Sequence, residues 1–355
     1  MKRSPAQALL VLTLSAFWTS LPASACTTFC LHKGPRALFG KNYDWSVSDG
    51  LLVVNKRGVE KTAPLPPPER PARWTSKHGS VTFNQYGREF PNGGMNEAGL
   101  AVELMWLDET RWPDADGRPS LGCLEWIQYQ LDNFSTVGEV VAHLGDLRVT
   151  SQAKVHYLVC DPSGACATVE LLDGKPVHHE GARALANHTY AESASFLARN
   201  RGKAGALAGR GSLQRFSRAA ATAEKYAKEG GKDAVRLAFD TLDDVAQGDY
   251  TKWSIVYDLP ARRIHWRTLA NRSLRHVDLA AFDFSCATPV RVLDVDAGHG
   301  NVASRFAGYT AEANRSLVER AVRKTELLAG MPPEEIAQVV LQPERTVCAM
   351  GGGKR

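Results

Sequence analysis

Cys26 concentrates more chemistry than any other residue in this sequence. It directly follows Leu21-Pro22-Ala23-Ser24-Ala25, where Ala23 and Ala25 fit the small-residue rule for leader cleavage. A cut after Ala25 makes Cys26 the first residue of the mature chain and gives it two reactive groups. Its thiol has an ordinary pKa of about 8.5, and its α-amine one of about 7.7–8.0, far below a lysine amine. The amine can therefore act as base for its own side chain, directly or through one water. Amide hydrolysis without a metal needs such a nucleophile and base, together with donors for a tetrahedral oxyanion. In the uncut chain an amide nitrogen stands where the base should be.

The first 25 residues read as a secretory signal, with Lys2 and Arg3 at the start and an apolar stretch from Ala8 to Phe17. That stretch is too short to span a bilayer, and no later stretch approaches 18 apolar residues. The expected location is therefore the periplasm or the exterior, with no membrane span. A lipoprotein anchored at Cys26 is the competing reading, although such a signal normally wants a Leu-like residue where Ala23 stands. With Lys2 and Arg3 removed, 41 basic residues face 38 acidic ones. No run of five or more Lys/Arg occurs, so nucleic acid is not an expected partner. The seven cysteines (26, 30, 123, 160, 166, 286 and 348) permit disulfides in an exported chain, and their odd number leaves at least one thiol unpaired. Cys160 and Cys166 flank the turn Asp161-Pro162-Ser163-Gly164 and are candidates for a cross-strand bridge. No CxxC pair suggests zinc, and neither metal nor organic cofactor is expected.

The elements that must position Cys26 alternate between two periods. Thr27–His32 and Ala37–Tyr43 are β-type runs around Lys33-Gly34-Pro35, a hairpin that places Cys26 at a strand start. Leu51–Lys56, Ser80–Gln85 and Leu100–Trp106 continue the strands, the last two around a loop at Asn92-Gly93-Gly94. Five prolines within Thr62–Pro71 exclude regular structure there. Helical periods follow at Leu121–Leu131 and Val137–Leu144, then strands at Val155–Cys160 and Ala165–Leu172. Helices are expected at Ser212–Lys228, capped by Ser212, and at Lys232–Val245, then a hairpin at Trp253–Asp258 and Arg262–Thr268. Helices at Tyr309–Leu328 and Pro332–Val340 precede a disordered tail at 351–355. Without a βαβ rhythm this order points to an α+β fold of stacked layers, one domain over 26–350.

Five short words carry a resemblance: Cys26-Thr27-Thr28-Phe29, Phe39-Gly40-Lys41-Asn42-Tyr43-Asp44-Trp45, Gly94-Met95-Asn96-Glu97-Ala98-Gly99-Leu100, Ala186-Asn187-His188-Thr189-Tyr190 and Gln214-Arg215-Phe216. In order and interval they resemble the choloylglycine hydrolase and penicillin V acylase family of N-terminal nucleophile hydrolases, over Cys26 to about Leu269. The resemblance implies a four-layer αββα sandwich with Cys26 as nucleophile and its α-amine as proton shuttle. Asp44 would orient that amine, the Asn187 side chain and the Trp106 backbone N–H would form the oxyanion hole, and Arg215 would sit beside the thiol. Where better-known members carry Arg, this chain has Lys41, which keeps the charge but loses the planar fork. Trp106 favours a flat or apolar acyl group, and Trp45 could line the same pocket. Relatives are often tetramers.

Each residue also has a plainer reading. Cys26 could pair with Cys30, Asp44 could end a strand, and Lys41 could be a solvated edge charge. Asn187 could be a turn residue, Arg215 a surface cation of a helix, and Trp106 simple core. Asn96 and Gly99 read as a tight turn, and His178-His179 as a solvated loop. The joint match favours an exported cysteine amidohydrolase that cleaves a linear C–N amide of an N-acyl small molecule through a thioester. Candidate substrates are phenoxyacetyl-type penicillins, acyl-homoserine lactones and conjugated bile acids. An acyl transferase with the same centre, or a non-catalytic lipoprotein, is the alternative.

Overall fold

Side-chain alternation along paired strands sets the layers. The computed structural model describes residues 26–349, and the leader at 1–25 and the tail at 351–355 lie outside the described residues. β1 (Thr27–Lys33) and β2 (Arg36–Asp44) form the expected hairpin, with Thr27 opposite Asn42 and Thr28 opposite Lys41. Gly34 in its turn has φ +58°, which costs a glycine nothing. The strand Thr251–Asp258 pairs with the other side of β2, setting Thr251 against Asp44 and Ile255 against Lys41, with a register shift between Thr251 and Trp253. These three strands sit together in a seven-stranded sheet. A nine-stranded sheet stacks on it and contains, side by side, the strands Val155–Cys160, Ala101–Trp106, Pro91–Asn96, Ser80–Asn84 and Leu51–Asn55.

Residues of one parity fill the space between the sheets: Cys26, Cys30, Phe39 and Tyr43 pack with Ala101, Met105, Leu158 and Cys160. The other parity faces helices. On the nine-stranded sheet Val102, Leu104, Tyr157 and Val159 pack against α1 (Cys123–Asn133) and α2 (Val137–Ala142). On the seven-stranded sheet Phe29, Leu31 and Leu38 pack against α3 (Tyr190–Asn200), α4 (Ser212–Glu229) and α5 (Ala234–Asp244). At roughly 1.5–3 kcal/mol for each large apolar side chain removed from water, these three cores hold the layers together. The result is the αββα sandwich. A further pair, α6 (Ala311–Lys324) and α7 (Pro333–Leu341), packs through Val318, Val322 and Val340 beside it.

Several local expectations change. Asn92-Gly93-Gly94 lies inside the strand Pro91–Asn96 and is not a loop. Its glycines are demanded by neighbours, since a Cβ on Gly93 would fall 2.2 Å from the Glu103 carboxyl carbon, and one on Gly94 2.7 Å from Thr82 Cγ2. His178-His179 belongs to the strand Lys175–Glu180 at the edge of the nine-stranded sheet. Ser212 is the first residue of α4, with Gly211 at the cap position, so its hydroxyl is free to accept the backbone N–H of Asn187 at 2.8 Å. Asn96 and Gly99 do build the tight turn, with Gly99 at φ +93° and the Asn96 side chain accepting from the Ala98 and Leu100 N–H groups.

Cys160 and Cys166 face each other across the strand pair and are joined, and a second disulfide links Cys286 to Cys348. Cys26, Cys30 and Cys123 are buried free thiols, so Cys26 does not pair with Cys30. Among the described residues, Cys30, Cys160 and Cys166 gather three sulfurs within 4.8 Å, but the disulfide consumes two of them. No helix among the described residues is long and apolar enough to cross a membrane.

Candidate active site

The end of the β1–β2 hairpin fixes Cys26 against Asp44. The Cys26 Sγ donates to the backbone carbonyl of Asp44 at 3.8 Å, and the thiol is buried. Burial raises its pKa, the Asp44 charge adds to that, and the cations Lys41 and Arg215 oppose it. Asp44 is itself buried, and burial lifts its carboxyl from 3.8 to about 7 against the pull of Thr251, Arg215 and Lys41. Its Oδ1 accepts the Thr251 hydroxyl at 2.5 Å, a contact set by the strand pairing. Its Oδ2 is buried and has no hydrogen-bond partner among the described residues.

Arg215 reaches the hairpin from the first turn of α4, and it is a buried residue instead of a surface cation of that helix. Its Nη1 donates to the Cys26 carbonyl at 2.7 Å and to the Thr27 hydroxyl, and its Nη2 donates to Asn187 Oδ1 at 2.8 Å. Asn187 follows the short strand Ala184–Leu185 and turns its Nδ2 to the carbonyl of Trp106 at 2.9 Å. His156, buried between Glu170 and the Ala186 carbonyl, holds the chain just before Asn187 in place. The Leu107 N–H donates across to Lys154, and alternation along that ladder turns the Trp106 N–H toward the opposite edge of its strand. Cys26, Asp44, Asn187, Arg215 and Trp106 therefore form one connected cluster.

Lys41 occupies a different place. It lies on a central strand, fully buried between the sheets, and so is not an edge charge. Its ammonium donates to the Leu104 carbonyl and stands 3.8 Å from Glu103 Oε2. The other Glu103 oxygen accepts the Tyr257 hydroxyl at 2.5 Å, and burial pushes the Glu103 carboxyl up to about 7. Lys41 thus acts on the thiol through its charge.

Beside Cys26 opens a cavity of about 530 Å³. Trp45 and Trp106 both line it, their rings 6.3 Å apart, and Trp45 Nε1 donates to the Tyr86 hydroxyl at 2.7 Å. Glu103, Thr251 and Tyr86 escaped the sequence reading. Only Glu103 carries a signal there, as a lone charge at core parity between Ala101 and Met105.

A buried cysteine at the head of a hairpin, inside an αββα sandwich and beside a carboxylate and an asparagine–arginine pair, defines the N-terminal nucleophile class of fold. Residues 26–205 match the family of linear amide C–N hydrolases, choloylglycine hydrolase family, and the chain belongs to that family. A penicillin V acylase from Pectobacterium atrosepticum is 31% identical over 195 residues, covering 49% of this chain and 50% of the relative, so the match spans half of that protein's length. The structure of a penicillin V acylase from Agrobacterium tumefaciens superposes with TM-score 0.72 at 28% identity, over 80% of this chain and 98% of that one. A variant of conjugated bile acid hydrolase from Clostridium perfringens shares the fold at TM-score 0.65 and 16% identity, over 78% of this chain and 98% of that one.

Proposed function

We propose that the protein is an exported amidohydrolase that cleaves a linear C–N amide of an N-acyl small molecule, with Cys26 as nucleophile after removal of residues 1–25. The observation that carries this reading is the unpartnered, buried Oδ2 of Asp44 beside Cys26. An orphaned buried carboxylate oxygen is unfavourable, and an α-ammonium on Cys26 is a charge-assisted donor of the kind it lacks.

In this mechanism the α-amine takes the thiol proton as Sγ attacks the amide carbonyl. The oxyanion is held by Asn187 Nδ2–H and the Trp106 N–H. The tetrahedral adduct collapses to a thioester, the C–N bond breaks, and the leaving amine takes the proton back from the α-ammonium. A water deprotonated by the Cys26 α-amine then attacks the thioester, the C–S bond breaks to release the acid, and the thiolate takes the proton back from the α-ammonium. Lys41 and Arg215 favour the thiolate, and Asp44 orients the amine. Trp45 and Trp106 hold the acyl group. Candidate acyl groups are those of phenoxyacetyl-type penicillins, acyl-homoserine lactones and conjugated bile acids.

Intact mass and N-terminal sequencing of the exported protein test the reading, which requires a free amine on Cys26. A diacylated Cys26 would make the protein a lipoprotein, but a sulfur on a residue only 3% exposed leaves little room for a lipid thioether. With processing established, Cys26→Ser should abolish amine release from N-acyl substrates, and unchanged turnover would refute the assignment. Formation of an exchanged amide with added amine, in place of the acid, would make the enzyme an acyl transferase.

A further inference from the structure

The cavity beside Cys26 takes its inner wall from the two sheets and α1, but its outer wall from a distant part of the chain. Val322 of α6, Leu327 and Leu328 of the 3₁₀ turn Glu326–Leu328, Met331, and Val339 of α7 all line it. This wall lies beyond residues 26–205, over which the family match extends. It is also fastened. Asn314 accepts the Arg88 N–H at 2.9 Å and donates to the Val340 carbonyl at 3.0 Å, tying α6 both to the sheet region and to α7. Asp49 pairs with Arg320 and Lys324, and the Cys286–Cys348 disulfide closes the far end. The Tyr86 hydroxyl bridges Trp45 to Thr325 at 3.2 Å, so the aromatic floor and the helical wall meet.

The chemistry of the lining selects its occupant. Among the described residues no lysine, arginine or histidine lines the cavity, whereas Glu125 and Glu335 do. Burial holds the Glu125 carboxyl up at about 7. An anionic group gains no partner here, so the neutral acyl side of the substrate enters and the amine side stays outside. The distal wall is aliphatic, and the aromatic pair sits near the sulfur. The volume of about 530 Å³ falls within the ~300–1,000 Å³ of pockets that bury ligands of drug size, more than a short acyl group fills.

We infer that the segment α6–3₁₀–α7 gauges acyl-chain length, and that the cavity takes a neutral, unbranched aliphatic chain that runs from Cys26 past Trp45 and Trp106 to Leu327, Leu328 and Met331. This inference rests on the amidase reading above. Each methylene that reaches the wall raises kcat/KM by about fourfold, from the transfer of one CH₂ out of water.

The test uses the processed enzyme and anilides of butanoic, octanoic, dodecanoic and phenoxyacetic acids. The wild type is expected to prefer the longer linear chains. Met331→Trp fills the wall, and Leu327→Asp places a charge at a position already 42% exposed, which folding tolerates. Each is expected to lower the dodecanoyl-to-butanoyl ratio of kcat/KM at least tenfold, while Leu341→Asp, on α7 but outside the cavity, leaves that ratio unchanged. A preference for phenoxyacetyl over every linear chain, or a ratio unmoved by both wall variants, overturns the inference. Binding of neutral dodecanamide, read by tryptophan fluorescence, separates the two claims. If no anilide is turned over and dodecanamide still binds at least tenfold more weakly to Met331→Trp, the amidase reading fails and the gauge stands. Equal binding to wild type and both wall variants overturns the gauge.

Discussion

Arg215 Nη2 donates to Asn187 Oδ1 at 2.8 Å, and this contact decides which way the asparagine amide points. A guanidinium has no acceptor, so the atom it meets must be the oxygen, and the NH₂ group is left facing Trp106. One proton of that group is bound to the Trp106 carbonyl, and the second is the one proposed as an oxyanion donor. Asn187→Ala should therefore lower kcat by about 10²–10³, the usual loss for one oxyanion donor. Steady-state kinetics with circular dichroism as the folding control will check this, and a change in KM alone would contradict the role.

Lys41 exerts the largest pull toward a lower Cys26 pKa, opposing burial. Lys41→Met removes that charge while keeping a chain of similar length. The pH midpoint for alkylation of Cys26 by iodoacetamide should therefore move upward. Glu103→Gln acts differently, because it leaves the Lys41 ammonium buried without its carboxylate. Breaking a buried pair by removing one partner costs about 3–5 kcal/mol, which urea unfolding will show. In the double variant Lys41→Met/Glu103→Gln the two stability losses should not add.

The layers were legible because they rest on alternation that the sequence displays: Phe29 and Leu31 face helices, while Cys26 and Cys30 face the other sheet. The strand Pro91–Asn96 was not legible, since glycines are poor strand formers. What requires them is the Glu103 carboxylate on one adjacent strand, against Gly93, and Thr82 on the other, against Gly94. α3 was missed because its packed face is weakly apolar: Ser193 is its one fully buried residue, and Tyr190 and Leu197 are only partly buried against the core. Cys26, Asp44, Asn187 and Arg215 sit in short words of unusual composition, whereas Thr251 is an ordinary threonine until strand pairing sets it opposite Asp44. The cavity wall at 322–339 depends wholly on where α6 and α7 dock, which no local pattern records.

Asp44 makes the stability of the unprocessed chain depend on pH. Its folded carboxyl titrates at about 7 against an ordinary value of 3.8, with burial as the largest cause. Between those values the native state holds a proton that the unfolded chain releases, so stability is full below about pH 4 and falls as pH rises through about 7. A cleavage-blocked precursor should show this fall in thermal midpoint, and Asp44→Asn should flatten it. In the proposed processed enzyme the α-ammonium would supply the missing countercharge, so the same titration should be weaker. Identical pH profiles for precursor and processed enzyme would count against contact between the amine and Asp44.

The two disulfides close loops of very different length, 6 residues for Cys160–Cys166 and 62 for Cys286–Cys348. In the chain-entropy account the longer loop restrains the unfolded state more, by about 4 kcal/mol against about 2 kcal/mol for the shorter. Replacing Cys286 and Cys348 by serine should therefore lower unfolding free energy roughly twice as much as replacing Cys160 and Cys166 by alanine. The two losses also differ in where they act. Cys348 ends the segment that carries α6 and α7, so its loss should speed amide hydrogen exchange in those helices. Loss of the Cys160–Cys166 bridge should leave that exchange unchanged, because it joins neighbouring strands already held by their own ladder.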